Sequence, residues 1–177
     1  MDELDWNQTL REQWEAHWNM QVRARLDGLT DEEYFWSPVR DAWNVRPAPG
    51  GFTIDYVYPP PVPAPFTTIA WRLGHVIVGV LAARNAAHFG APAASYDTWP
   101  YAGGAAAALD QLDTQLDVWL AGVRGADLGA LVGEKEPYPE ASMADLILHI
   151  NRELIHHLSE VCLLRDLYTH TRTGAVR

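Results

Sequence analysis

Apolar side chains recur every three or four residues through four long segments, and this constrains the chain more than any other feature. In the last segment Ile147, Ile150, Leu154, Leu158 and Val161 fall on one stripe at about 100° per residue. Asp2 to Asp27 is expected as a first helix, with Leu10, Trp14 and Trp18 (or His17) at the same spacing and Gly28 as its stop. Thr67 to Phe89 reads as a second, capped by Thr67 or Thr68 and ended by Gly90. Ala105 to Val123 is a third, with Leu109, Leu112, Leu116 and Leu120 on one face. The fourth opens at Ser142, with Asp145 three residues on as in a capping box, and runs to about Tyr168 or His170.

The connections carry the helix breakers. LTDEEYFWSPV offers a short helical turn with Thr30 as N-cap and Glu33 three residues on, closed by Pro38. Arg40 to Pro65 holds Pro47, Pro49, Gly50, Gly51 and the run YPPPVPAP, and is expected to be a long connection without regular structure. Its aromatics, Trp43, Phe52, Tyr56 and Tyr58, either cap one end of the core or cover a site. No strand-period run, βαβ alternation or Gly-rich phosphate loop is seen. The expected architecture is all-α, a four-helix bundle with one long loop between the first two long helices, forming a single domain over residues 1–177.

A net charge of -10 and the lack of a basic cluster argue against nucleic acid or an anionic membrane as partner. The acidic N-terminus MDELDWNQ has no apolar core of the kind a signal peptide needs, and the most apolar run contains Arg72 and His75. A cytoplasmic location is therefore expected. The single cysteine, Cys162, excludes an intrachain disulfide and lies on the apolar side of the fourth helix, where it is a poor nucleophile. Lys135 is the one lysine among 13 basic residues, a bias typical of a GC-rich genome.

The chemistry concentrates in HINRELIHHLSE, His149 to Glu160. His149, Glu153, His156 and Glu160 line a polar stripe beside the apolar one. Glu153 and His157, four apart, rise on the same side of successive turns at the boundary of the two stripes. Such a pair is an ordinary helix pair unless another helix supplies a third ligand. His75, mid-helix in AWRLGHVIVGV, is the candidate, and Gly74 beside it admits a neighbouring helix. Two histidines and a carboxylate leave a coordination position open, as catalytic metal sites do. Glu153 and His156 also have the Glu-x-x-His spacing of di-iron bundles. The chain has no second such motif, and its second and third helices carry no glutamate.

TTIAWRLGHV followed at a distance by HINRELIHHLSEVCLLRDLY, with DEEYFWSPV and AWNVRP between the first two helices, resembles the DinB superfamily of bacterial metalloproteins. The resemblance covers almost the whole chain. It implies a bundle, often homodimeric, whose metal is held by one histidine of the second helix and two ligands of the fourth. Here the fourth-helix pair is Glu-x-x-x-His, similar to the His-Glu-His zinc site of the mycothiol-dependent maleylpyruvate isomerase branch. Carried over, the ligands are His75, Glu153 and His157, with His156 outside the set. That branch has a further C-terminal domain contributing to its site, whereas this sequence ends soon after the fourth helix. The resemblance therefore implies the metal-binding domain rather than that isomerisation.

The expected function is a divalent-metal-dependent, low-molecular-weight-thiol-dependent transferase or isomerase acting on a small electrophile. The metal is expected to be zinc, with nickel or another transition metal as the alternative, and the thiol to be mycothiol-like. Trp71 and Trp43 are the candidate substrate-binding walls. Metal-dependent hydrolysis and a non-catalytic metal-binding stress protein are the alternatives.

Overall fold

The computed structural model describes residues 4–173, so the expected helix start at Asp2 lies outside the described residues. Helix α1 spans residues 6–26 and widens into a π-helical turn over Trp18–Val22. Asp5 caps it by accepting the Gln8 N–H at 3.0 Å. It buries Leu10, Trp14, Trp18, Val22 and Leu26. Helix α2, Asp31–Phe35, is the expected short turn, and Thr30 accepts the Glu33 N–H at 3.2 Å.

Glu33 does not complete the capping box. Its carboxylate is buried and accepts from Arg165 Nε at 2.6 Å and Nη2 at 3.2 Å. Arg165 also donates to the carbonyls of Arg25 and Asp27. A half-buried guanidinium offering a fork of donors outcompetes the local backbone N–H for the carboxylate.

The connection after α2, expected from its prolines to lack regular structure, contains a β-hairpin. Strands β1, Val45–Ala48, and β2, Gly51–Ile54, pair antiparallel with Val45 opposite Ile54 and Pro47 opposite Phe52. Pro47 is tolerated because each strand of a two-stranded ribbon has a free edge that needs no donor. Gly50, at φ 86°, supplies the left-handed residue of the turn. Asp55 ties the base of the hairpin: its Oδ2 accepts from Asn44 N at 2.9 Å and Arg46 Nε at 2.6 Å, and its carbonyl accepts Trp71 Nε1 at 2.6 Å. Trp43 donates its N–H to the Phe66 carbonyl at 2.8 Å, bringing the two ends of the long loop together.

Helix α3 covers residues 69–89, with a π-helical stretch over Val76–Ala82. Thr68 caps it through the Trp71 N–H at 3.2 Å, and Gly90 stops it at φ 72°. Helix α4, Ala105–Arg124, starts at a glycine without a capping side chain, and Asp31 of α2 accepts the Ala105 N–H instead at 2.8 Å. Its buried face is Ala105, Ala108, Leu112, Leu116, Trp119 and Val123. Leu109 and Leu120 lie half-buried at its flank, so the stripe is rotated from the expected leucine row.

Helix α5, Met143–Thr173, has the expected capping box: the Asp145 N–H donates to Ser142 Oγ at 3.1 Å and the Ser142 N–H to Asp145 Oδ2 at 3.0 Å. It continues past His170. The apolar stripe from Ile147 to Val161 is buried as the periodicity requires. Fully burying each of its leucines stabilises the fold by about 2–3 kcal/mol before conformational entropy is subtracted. α1 and α3 each pack against both α4 and α5, which closes the four-helix bundle. No helix among the described residues is long and apolar enough to cross a membrane.

Candidate metal centre

Two helices build the site. His75 ends the first α-helical stretch of α3, while Glu153 and His157 stand one turn apart on α5. His75, Glu153 and His157 each offer one ligand atom, and these atoms all lie within 4.8 Å of one another. The two imidazoles meet edge to face, with centroids 4.7 Å apart and planes at 85°. His157 Nε2 is 3.4 Å from Glu153 Oε2.

The outward nitrogens are held. His157 Nδ1 lies 3.0 Å from Glu160 Oε2, and Arg72 Nη1 donates to the same Glu160 oxygen at 2.7 Å. Arg72 Nη1 is also 3.2 Å from His157 Nδ1. A guanidinium can only donate, so the proton on Nδ1 follows the closer carboxylate when Nε2 is to act as a ligand. His75 Nδ1 lies 2.5 Å from the Tyr96 hydroxyl. An imidazole that gives Nδ1–H to an outer oxygen presents a lone pair on Nε2, the tautomer that metal-ligating histidines need.

Burial, then the neighbouring His157, Arg72 and Arg84, pushes the His75 imidazole down to about 3. It is therefore neutral, and only neutral imidazole binds a metal. Two imidazole nitrogens and one carboxylate form a donor set that suits a divalent transition metal.

Trp71, one turn before His75, stacks on it with centroids 5.2 Å apart and planes at 10°. Trp43 packs on Trp71 at 5.7 Å and so backs that wall. Tyr96 also lies parallel to His75, with centroids 6.2 Å apart, and Tyr56 of the Tyr-Pro loop stacks on Tyr96 at 4.1 Å and 9°. Gly79 makes this possible: a Cβ there would collide with the Tyr96 hydroxyl and stand 3.2 Å from His75 Nδ1. The neighbours that approach Gly74 are Ile54 and Tyr101, from the hairpin and the α3–α4 connection, rather than another helix.

A second trio, His156, His157 and Glu160, is equally close. It is the poorer site. His156 is 62% exposed, and Arg72 already neutralises Glu160. His149 stays at the edge, 3.7 Å from Glu153. Tyr96 was not legible as a site residue, since it comes from an irregular connection. Glu160 was legible on the polar stripe, but its bond to His157 required the rotamers.

The DinB superfamily model matches residues 13–161, a span that includes His75, Glu153 and His157, so the chain belongs to the DinB superfamily. Membership suggests a metal-binding domain, and the His/Glu cluster is compatible with a divalent metal. Neither curated proteins nor solved structures give a significant match.

Proposed function

We propose that His75, Glu153 and His157 hold one divalent metal ion, zinc first, and that the protein transfers or isomerises a small electrophile with the help of a low-molecular-weight thiol. The observation that carries the reading is the convergence of the three ligands with the outer nitrogen of each imidazole already tied to an oxygen. When bound, such an ion lowers the pKa of a thiol and polarises a carbonyl.

The chain's own residues supply placement. Tyr96 and Glu160 fix the two rings, Arg72 fixes Glu160, and the Trp71 face keeps water from one side of His75. Cys162 is buried, and burial raises its thiol pKa, so it is a poor internal nucleophile. The attacking group then comes from outside, and mycothiol is the first candidate. Ile155 and Cys162, apolar residues of α5 outside its main stripe, pack inward rather than offering a dimer face. A homodimer is proposed on the family resemblance alone.

The test is to incubate zinc-loaded protein with a panel of electrophiles, with and without mycothiol, glutathione or bacillithiol. Turnover that needs the thiol is the expected result. Equal turnover without any thiol would replace this reading with metal-dependent hydrolysis.

A further inference from the structure

A cavity of about 290 Å³ lies between α3, the first turns of α5 and the segment 132–141, and His149 separates it from the metal cluster. That is near the small end of ligand pockets, which run roughly 300–1,000 Å³. Val132, Pro137, Ala141 and Leu146 give it apolar walls. Arg84, His149 and Arg152 also line it. His149 is the link to the cluster, since its Nδ1 lies 3.7 Å from Glu153 Oε1.

The donors are arranged for an anion. Arg152 donates to His149 Nδ1 at 2.7 Å, which leaves Nε2–H of that ring as a further donor. Arg152 has no carboxylate within ion-pair distance among the described residues, in a chain of net charge -10. Arg84 is held in place by the Gly79 carbonyl and by Glu136 at 3.1 Å. The two carboxylates on the wall are already engaged. Glu136 accepts from Arg84 and stands 3.2 Å from His88, and Asp145 is bound to Ser142 in the helix cap.

We propose that this cavity seats a small organic carboxylate, its apolar body between Val132, Pro137 and Leu146 and its acid group on Arg152 and Arg84. The inference rests on the proposed function, for which it supplies the substrate class: an electrophile carrying a carboxylate, held against His149, the neighbour of Glu153. Guanidinium groups recognise carboxylates by paired N–H donors, which a neutral amide cannot match.

The test is binding of 3-phenylpropanoate and of its amide, 3-phenylpropanamide, followed by NMR on the full chain, both metal-free and zinc-loaded. The carboxylate should bind about tenfold more tightly than the amide in both forms. Arg152→Gln, at an exposed position, should remove that preference with the fold unchanged by circular dichroism. Arg84→Gln should do the same, but it also frees Glu136, so Arg152 decides. Equal binding of acid and amide, or an unaltered preference in Arg152→Gln, would overturn the assignment. So would binding seen only with zinc present, which would put the acid on the metal. A protein that takes up no zinc but still prefers the acid would overturn the metal reading while upholding the anion site.

Discussion

His157 Nδ1 stands 3.0 Å from Glu160 Oε2, while Nε2 of the same ring stands 3.4 Å from Glu153 Oε2. The ring is thus suspended between an outer and an inner carboxylate. Removing the outer one frees the tautomer and the ring angle. Glu160→Gln is expected to weaken metal binding about 10- to 100-fold, the usual cost of losing such a partner. Competition against a zinc chelator measures it, and an unchanged affinity would mean that Glu160 serves only to pair with Arg72.

Glu153→Gln is expected to weaken metal binding more than His156→Ala. Glu153 contributes charge inside the cluster, whereas His156 lies three residues on, about 60° around the helix, and is mostly exposed. The same chelator titration compares the two variants. Equal loss in both would favour the trio of His156, His157 and Glu160.

Gly79→Ala is expected to destabilise the protein by about 1–3 kcal/mol, because its Cβ overlaps the Tyr96 hydroxyl. Tyr96→Phe removes that oxygen, so the double variant should recover part of the loss. Urea denaturation of the four proteins gives the coupling. Strictly additive effects would show that Tyr96 is not what Gly79 makes room for.

The Glu33–Arg165 pair holds α2 to the far end of α5 at 2.6 Å. Arg165→Met leaves a buried carboxylate without its cation and is expected to cost about 3 kcal/mol or more. Denaturant unfolding at neutral pH checks it. A loss below about 0.5 kcal/mol, the scale of an exposed pair, would contradict it.

The four long helices were legible because burial imposes a 3.6-residue period, and no other element type satisfies that period over twenty residues. Glu153 and His157 were legible for a related reason, since i, i+4 neighbours on a helix meet whatever surrounds them. The hairpin was hidden because Pro47, Pro49 and Gly50 are loop signals locally, and only the free edges of a two-stranded ribbon make them acceptable. Glu33 matches a capping box by spacing, yet a half-buried arginine 132 residues away takes its carboxylate. Tyr96 and the role of Gly79 depend on how residues 91–104 fold back on α3, which no local pattern encodes. Gly74 signals close approach but not by what: the hairpin and a tyrosine approach it, not the neighbouring helix expected.

The most direct test of the metal assignment is X-ray absorption at the zinc edge on zinc-loaded protein, alongside metal analysis of wild type and of His75→Ala. One zinc per chain is expected, with two histidine nitrogens and a carboxylate oxygen at about 2.0–2.2 Å, and with loss of that signature in His75→Ala. Zinc that remains bound with an unchanged spectrum after His75 is removed would contradict the site proposed here.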